Sequence, residues 1–331
     1  MTTPATAGQV YDTIIIGGGA AGLSAAIYAG RYLMKTLVVE GHEPGGETAV
    51  AWIIENYPGV PKVDGFDLIQ IMRGQAKEVG SAFAPEAAKG VTVQNHCFTV
   101  IGESGPEYYG KTLIFAHGSR RRRLGLPREK ELLGRGVSYC VTCDAPLYKN
   151  KTIAIVGGGD ASVKGAILAA QYAAKVYLIV REAKLNAEPA NYEVFKQKQN
   201  IEVLYETEVT EIVGETALAG VVLSRSYQGN SRLNLGGLFI EIGAEPNTAL
   251  PQSLGVAVDA QGFVVVDPMM KTNIDGVYAA GDITNATGSF KQDIVAAAQG
   301  AIAATSAYRD LGIHGGQACV VHARAVAHLS V

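Results

Sequence analysis

The sequence predicts an α/β fold of two Rossmann-like, three-layer nucleotide-binding domains, the second inserted into the first. The prediction comes from a pattern that occurs twice, at residues 11–40 and 151–181: an apolar strand, a glycine turn, a helix of small residues and a second strand. Short apolar runs bounded by glycine turns are typical of strands buried in a parallel sheet. Two such βαβ units indicate two dinucleotide-binding domains.

The composition fits a chain of this size and excludes several classes of protein. The 331 residues exceed the ~100–200 residues of one domain, and the 48% of hydrophobic residues can form a sizeable core. A net charge of −3 argues against a nucleic-acid-binding protein. The N-terminus lacks a secretory signal, and no apolar run approaches the ~18–20 residues that cross a bilayer, so we expect no membrane partner.

The first glycine turn carries Gly17, Gly19 and Gly22 between a strand and a helix. In this motif the first glycine permits the turn, the second lets the backbone approach a pyrophosphate, and the third lets helix and strand pack closely. Glu40 ends the following strand, where an acid accepts a hydrogen bond from a ribose hydroxyl. The alternative is an ordinary glycine turn without a ligand.

The second glycine turn carries Gly157, Gly159 and Ser162, and its second strand ends in Arg181 and Glu182. The turn is intact, but no acid occupies the ribose position, and Glu182 would repel a 2′-phosphate. A domain that no longer binds a dinucleotide is therefore an equally valid interpretation. Segments 118–130 and 243–247 have the composition of hinges on either side of this domain, and an apolar helix is expected at about 294–311.

Cys140 and Cys143 form a C-x-x-C pair followed by Asp144. At a helix start such a pair can close a small disulfide ring, and the helix N-terminus favours a thiolate there. Asp144 is placed to transfer a proton during thiol–disulfide exchange. Half of a zinc site, completed by Cys319 and His322, and a buried structural pair are the alternatives. Cys97 and Cys319 otherwise look isolated.

These motifs together resemble the low-molecular-weight thioredoxin reductases, FAD-dependent disulfide oxidoreductases, over residues 11–311. The resemblance lies in the first glycine turn, in segments 45–47 and 55–59, in the redox segment 134–144 and in segments 277–282 and 291–293. It implies an FAD domain of residues 1–117 and 248–331 and an inserted pyridine-nucleotide domain of residues 118–247. It also implies a homodimer in the cytoplasm and a thioredoxin-like protein as substrate.

The resemblance assigns roles to individual residues. Cys143 would face the flavin, Cys140 would attack the substrate disulfide, and Asp144 would be the acid–base residue. No metal site is implied. The residues expected to bind FAD are Gly17, Gly19, Ala20, Ala21, Gly22, Glu40, Gly46, Glu47, Asn56, Gly281, Asp282, Gln292, Asp293 and Ile294.

The chain departs from the family where the NADPH 2′-phosphate would bind. The family sequence His-Arg-Arg-x-x-x-Arg is replaced here by Val180, Arg181, Glu182 and, at the last position, Asn186. Loss of charge-assisted contacts to a phosphate should weaken NADPH binding greatly. Gly165 in the following helix suggests relaxed demands on this domain. The chain is therefore similar to an atypical branch, the ferredoxin-dependent or the deeply rooted cyanobacterial thioredoxin reductases.

Two further segments depart from the family. Residues 118–136 carry a net charge of +5, which indicates either a solvated hinge or a docking site for ferredoxin or another acidic electron carrier. The basic residues of this segment are Arg120, Arg121, Arg122, Arg123, Arg128, Lys130 and Arg135. The tail, residues 313–331, contains His314, His322 and His328 and is either a disordered extension or a cover over the flavin or a dimer strap.

The leading hypothesis is an enzyme that passes electrons from FAD through the two cysteines to a protein disulfide, with an uncertain donor. An NAD(P)H-dependent flavin oxidase or peroxide-reducing flavoprotein is one alternative. A redox-sensing flavoprotein with a vestigial nucleotide domain is another.

Overall fold

A computed structural model describes residues 6, 8–41, 45–51, 53–288, 290–313 and 319. It is a mixed α/β structure, as predicted, and the chain divides into two compact units. Unit 1 comprises Met1–Ser119 and Pro246–Val331, and unit 2 comprises Arg120–Glu245. The short strands β7 (Ser119–Arg121) and β16 (Ala244–Pro246) pair where the chain enters and leaves unit 2.

Unit 1 is built on one mixed sheet. Its strands are β1 (Val10–Ile16), β2 (Thr36–Val39), β3 (Ala82–Ala84), β4 (Ala88–Gln94), β5 (Cys97–Gly102), β6 (Glu107–Phe115) and β17 (Val277–Ala279). The strand order is β3-β2-β1-β6-β5-β4, and β17 also pairs with β6. Strand β6 pairs with β1 along one edge and is long enough to serve two partners along the other. On that edge its first half pairs antiparallel with β5 and its second half pairs parallel with β17.

The helices of unit 1 cover its sheet. They are α1 (Ala20–Arg31), α2 (Gly46–Ala49), α3 (Gly65–Glu78), α7 (Ala249–Ser253) and α8 (Asp293–Ile313). Small residues let α1 and α8 pack closely, because a Cβ added at Gly300 would lie 2.0 Å from the carbonyl oxygen of Ala21. Helix α8 confirms the apolar helix expected at 294–311.

Unit 2 has a parallel and an antiparallel sheet. The strands are β8 (Val137–Ser138), β9 (Thr152–Val156), β10 (Lys175–Ile179), β11 (Ile201–Leu204), β12 (Val209–Gly214), β13 (Leu218–Tyr227), β14 (Asn230–Asn234) and β15 (Gly237–Ile240). The parallel sheet has the order β11-β10-β9-β15-β8, and the antiparallel sheet has the order β12-β13-β14. The helices are α4 (Val141–Asp144), α5 (Asp160–Ala169) and α6 (Pro189–Lys196), with a 3-10 turn at Ala145–Tyr148.

Helix α5 begins at Asp160 and ends at Ala169. The Nδ2 of Asn200 donates to the carbonyl oxygens of Ala170 and Ala173, at 2.9 and 3.0 Å, and so satisfies the end of the helix from outside. That side chain comes from a distant part of the sequence. In the part of the chain that the structure describes, no helix is long and apolar enough to cross a bilayer.

Candidate functional site

The first glycine turn has the close contacts that its sequence predicts. Gly17 has φ +116°, and a Cβ there would lie 2.3 Å from the carbonyl oxygen of Ala116. A Cβ at Gly22 would lie 1.9 Å from the carbonyl oxygen of Gly17. Both positions therefore exclude any side chain, and together they hold the start of α1 against the end of β1.

Gly19 differs from these two glycines because the space beside it is open. The nearest atom to a Cβ added there would be the carbonyl oxygen of Gly45, at 3.6 Å. Gly19 is the N-cap of α1, and no side chain caps the helix, whose first residues are Ala20 and Ala21. Free N–H groups and the helix dipole make such a terminus suitable for a phosphate.

Glu40 follows β2, and its carboxylate is almost fully buried. Arg73 of α3 approaches it with two guanidinium nitrogens, Nη2 at 2.7 Å from Oε1 and Nη1 at 2.7 Å from Oε2. Only the contact to Oε1 has hydrogen-bond geometry, so among the described residues Oε2 is a buried acceptor without a hydrogen bond. Burial raises the pKa of Glu40, and Arg73 opposes the rise. Oε2 faces the turn, 3.3 Å from where a Cβ of Gly18 would lie.

His117 lies against the same turn, and no sequence motif predicted it. Its Cα would be 2.7 Å from a Cβ at Gly17. Its Nδ1 is shielded from solvent and has no hydrogen-bond partner among the described residues. Burial lowers the pKa of His117 to about 4, although the backbones of Asn247 and Ile16 favour the charged form. The imidazole is therefore neutral at pH 7 and offers an unused polar atom.

Two segments far apart in sequence meet in unit 1. The amide Nδ2 of Asn56 donates to Oε1 of Gln292 at 3.0 Å. The hydroxyl of Thr48 donates to Oδ1 of Asp293 at 2.6 Å. The structure thus brings Asn56 to Gln292, and Thr48 to the first residue of α8. Gly46 and Glu47 directly precede Thr48 in α2. Ile294 is 37% exposed.

Gly281 and Asp282 follow β17 beside the first turn of α1. Gly281 has φ +83°, and a Cβ there would lie 2.9 Å from the Cβ of Ala21. Its N–H donates to Oε1 of Gln299 at 2.7 Å, a second contact that the sequence did not reveal. Burial raises the pKa of Asp282, and the charge of Lys291 opposes the rise.

Cys140 and Cys143 form a disulfide, with their Cα atoms 5.4 Å apart. Cys140 is the N-cap of α4, and its Sγ accepts the backbone N–H of Cys143 at 3.1 Å. The backbone N–H of Cys140 donates to the hydroxyl of Ser138 at 3.0 Å. Because α4 has only four residues, its dipole is small, and the N–H of Cys143 is placed to stabilise a thiolate at Cys140 once the disulfide opens. Cys143 is exposed and Cys140 is half-buried.

Asp144 ends α4 and directly follows the exposed residue Cys143. It lies near Tyr148, whose pKa is raised by burial and by the charge of Asp144. Gly165 of α5 faces the same segment, since a Cβ there would lie 3.1 Å from Cγ2 of Val141. A side chain at Gly165 would therefore be in tight contact with the redox segment, and the interpretation that Gly165 reflects relaxed demands stays a prediction.

Residues 11–304 of the sequence match the family model named pyridine nucleotide-disulphide oxidoreductase. The thioredoxin reductase of Treponema pallidum is 37% identical over 299 residues, which are 90% of this chain and 96% of that protein. The chain belongs to the thioredoxin reductase family. It is accordingly an enzyme, a flavoprotein disulfide oxidoreductase with FAD as its cofactor, and the Cys140–Cys143 pair fits a redox-active disulfide.

Two solved structures of thioredoxin reductases show how the resemblance extends to the fold. The Lactococcus lactis thioredoxin reductase (FR conformation) superposes with a TM-score of 0.86 at 33% identity, covering 92% of this chain and 99% of that one. The ferredoxin-flavin thioredoxin reductase of Clostridium acetobutylicum gives a TM-score of 0.50 at 32% identity, with the same coverage. The two Rossmann-like domains predicted from the sequence are thus confirmed.

The residues of unit 1 fit FAD on their own geometry. The open backbone at Gly19 is a cradle that a Cβ would narrow. Oε2 of Glu40 has only its ion pair with Arg73, and Nδ1 of His117 has no hydrogen-bond partner among the described residues. Groups of this kind are normally satisfied in folded proteins, so they indicate a polar ligand at this turn.

In this thioredoxin reductase family member, the second glycine turn is geometrically intact. Gly157 has φ +136°, and a Cβ there would lie 2.2 Å from the carbonyl oxygen of Glu241. Ser162 takes the third position, and its hydroxyl donates to the same carbonyl at 3.0 Å. The following loop folds back onto the turn, because the N–H of Asn186 donates to the carbonyl oxygen of Gly158 at 2.8 Å.

The charges around this turn do not favour a phosphate. Arg181 is the one arginine kept at the family's 2′-phosphate positions, and its side chain is 74% exposed. Its guanidinium lies 3.0 Å from the carboxylate of Glu182 and 3.9 Å from that of Glu208. Val180 is fully buried, and its Cγ1 would lie 2.7 Å from a Cβ at Gly158. The remaining cation therefore already has two carboxylates beside it.

The basic segment 118–136 is less positive than its sequence suggests. Arg120 pairs with Glu245 at 3.3 Å, and Arg121 pairs with the buried Glu241 at 2.5 Å. Arg128 pairs with Glu131 at 3.0 Å, but Glu131 is already counted in the net charge of +5. The exposed residues that continue the arginine run are Arg122 and Arg123.

Cys97 and Cys319 are not isolated, and the sequence-based expectation for them is wrong. They form a second disulfide, with their Cα atoms 4.8 Å apart. Cys319 therefore does not serve as half of a zinc site in this structure. Among the residues that the structure describes, no group of three His, Cys, Asp or Glu side chains could hold a metal ion. His314, His322 and His328, with the tail interpretations that rest on them, lie outside the described residues.

Proposed function

We propose that the protein is an FAD-dependent reductase of a thioredoxin-like protein disulfide. The observation that carries the proposal is the Cys140–Cys143 disulfide, in which the N–H of Cys143 already points to the sulfur of Cys140. The proposed domains are an FAD domain of residues 1–117 and 248–331 and an inserted domain of residues 118–247 that carries this pair. Relatives named thioredoxin reductase support the substrate class.

In the proposed reaction, FAD when bound supplies the two electrons that open the Cys140–Cys143 disulfide. The Cys140 thiolate, stabilised by the N–H of Cys143, attacks one sulfur of the substrate disulfide and releases the other as a thiolate. Asp144 delivers a proton to the leaving sulfur. The Cys143 thiolate then attacks Cys140, which reforms the ring and releases the second substrate thiol.

A trapping experiment tests these roles with matched variants. A thioredoxin that keeps only its exposed cysteine is activated as a mixed disulfide with thionitrobenzoate and offered to Cys143→Ser and Cys140→Ser proteins. If Cys140 attacks, the Cys143→Ser protein forms the stable adduct and the Cys140→Ser protein forms little. Because Cys143 is the more exposed sulfur here, the experiment is discriminating, and the reverse result would exchange the two roles. Thioredoxin reduction that survives in both variants would refute the proposal.

We assign the ADP half of FAD to the turn at Gly17, Gly19 and Gly22, the helix start at Ala20 and Ala21, and the acceptor of Glu40. The flavin side is assigned to the segments that carry Gly46, Glu47, Asn56, Gly281, Asp282, Gln292, Asp293 and Ile294.

Acid denaturation should release FAD rather than FMN, because the first turn accommodates a pyrophosphate. A Glu40→Gln protein should bind FAD about tenfold more weakly, since a charged acceptor is replaced by a neutral one. FMN as the sole flavin, or unchanged affinity, would refute the assignment.

The electron donor is proposed to be an acidic carrier such as a ferredoxin, and not NADPH. The charges around Arg181 and the exposed Arg122 and Arg123 support this choice. Replacing both Arg122 and Arg123 with glutamine should slow flavin reduction by reduced ferredoxin by about tenfold at low salt. The difference should vanish at high salt, because exposed charges are screened.

Arg120→Gln is the matched control, since that side chain already pairs with Glu245. It should change the rate little, and photochemical flavin reduction should be the same in all three proteins. Equal ferredoxin rates across a salt titration would remove the docking proposal.

A cytoplasmic homodimer is proposed for the assembly. An apolar groove of about 530 Å³ runs along α8 in unit 1 and supports a protein contact there. It is lined by side chains that include Val266, Met270, Ile294 and Ile302. A monomeric mass by light scattering, unchanged on adding FAD, would contradict the dimer.

A further inference from the structure

The second disulfide begins at a well-defined place in unit 1. Cys97 is the first residue of β5, directly opposite Gln94 of β4 in the antiparallel register. The two residues between them, Asn95 and His96, both have positive φ, +49° and +57°, which is the conformation of a tight hairpin turn. Cys97 is only 5% exposed. Its sulfur is therefore held in position by the hairpin and is poorly accessible to reagents.

The partner sulfur comes from the end of the chain. Cys319 lies six residues beyond α8 and is separated from Cys97 by 222 residues. The Cα–Cα distance of 4.8 Å falls within the ~4.4–6.8 Å that a disulfide requires. Cys319 is half-buried, so it is the more accessible of the two sulfurs.

We propose that Cys97 and Cys319 form a second, reversible disulfide that a dithiol protein of the thioredoxin type reduces, and that fastens residue 319 to the β4–β5 hairpin. The Cys140–Cys143 pair is separate from it and belongs to unit 2. In a cytoplasmic protein, the location proposed above, disulfides are rare unless they are catalytic or redox-sensing. Because Cys319 is more exposed than Cys97, we expect the dithiol to attack Cys319 first.

The exchange starts at Cys319, because an attacking thiolate needs access to the sulfur that it attacks. The thiolate of the dithiol bonds to Sγ of Cys319, the bond between the two cysteines breaks, and Cys97 leaves as a thiolate and takes up a proton. The second thiol of the dithiol then attacks the mixed disulfide. It releases Cys319 as a thiol, and the dithiol becomes a disulfide. Two electrons and two protons thus pass from the dithiol to the pair.

Peptide mapping of the full-length protein tests the bond independently of the flavin. Trypsin places Cys97 in peptide 90–111, Cys319 in peptide 310–324 and the redox pair in peptide 136–149. The oxidised protein, digested without reductant, should give peptides 90–111 and 310–324 as one linked species. After treatment with reduced thioredoxin or dithiothreitol, the linked species should disappear. Separate peptides from the oxidised protein would overturn the pairing.

Alkylation rates of single variants test the direction of exchange. Each single variant leaves one of the two thiols free, and both variants are alkylated in the folded state with iodoacetamide. The thiol of Cys319, free in Cys97→Ser, should react about tenfold faster than the thiol of Cys97, free in Cys319→Ser. A mixed disulfide trapped with a single-cysteine thioredoxin should map to peptide 310–324. If the linked species persists under reduced thioredoxin and yields only to unfolding with reductant, the bond is permanent and the proposal is refuted. None of these readouts depends on FAD reduction, so they stand apart from the test of the proposed function.

Discussion

Glu182→Arg is the substitution that most directly tests why NADPH should be a poor donor. In the structure the carboxylate of Glu182 lies 3.0 Å from the guanidinium of Arg181 and faces the second glycine turn. The substitution removes a repulsive charge, adds a cation and frees Arg181 from its nearer partner. The proteins to compare are the unaltered chain, Glu182→Arg and Glu208→Gln.

The expected gain follows from the charged contacts. A hydrogen bond to a charged group contributes about 1.5–3 kcal/mol, and each ~1.4 kcal/mol is a tenfold change in affinity. Two restored contacts would raise the affinity for NADPH by about 10²- to 10⁴-fold if both were shielded from solvent. The side chain of Arg181 is 74% exposed and that of Glu182 is 55% exposed, so solvent screening places the gain below this range. We therefore expect NADPH to bind about tenfold more tightly.

Isothermal titration calorimetry with NADPH and NADH measures this gain without requiring flavin reduction. NADH lacks the 2′-phosphate, so its affinity should change little and the ratio of the two affinities is the diagnostic quantity. Glu208→Gln removes the more distant carboxylate, at 3.9 Å, and should have a much smaller effect. Tight, NADPH-selective binding by the unaltered chain would refute the reasoning, as would equal gains for both nucleotides.

Three further predictions concern the FAD turn and the stability of the fold. Gly22→Ala places a Cβ 1.9 Å from the carbonyl oxygen of Gly17 and should yield protein that no longer retains flavin by absorbance, whereas Gly74→Ala, with nothing within 4 Å, should retain it. Glu129→Gln weakens a buried carboxylate that accepts three backbone N–H groups and a tyrosine hydroxyl, so urea unfolding should show a loss of about 2–4 kcal/mol. Burial raises the pKa of Glu86, but hydrogen bonds from Tyr108 and Ser104 and the charge of Lys89 together outweigh it and lower the pKa overall. The stabilisation from Glu86 should therefore be complete above its unfolded pKa and disappear as the pH falls through the folded value. Glu86→Gln should flatten this dependence on acidic pH in thermal unfolding measured across a pH series.

The sequence by itself determined the features that depend on neighbouring residues. Strand, glycine turn and helix follow one another within about 20 residues, so their periodicity and the spacing of Gly17, Gly19 and Gly22 predict the first Rossmann-like unit. A disulfide between Cys140 and Cys143 requires only two intervening residues. The redox chemistry of that pair can therefore be predicted from the order of the residues alone. The resemblance to the family can be predicted in the same way.

Only the tertiary structure decided the contacts between residues that are distant along the chain. Arg73 reaches Glu40 from α3, His117 reaches the turn at Gly17 from the end of β6, and Cys319 reaches Cys97 across 222 residues. No local pattern marks such partners, because their proximity results from how sheets and helices pack.

The same reason explains why the charged hinge was overestimated from the sequence. A run of arginines predicts a positive surface, but Glu241 and Glu245, more than 100 residues away, pair with two of its members. A net charge summed over a sequence segment includes only residues that are neighbours along the chain. The electrostatic potential at a surface depends on all charges that are close in space.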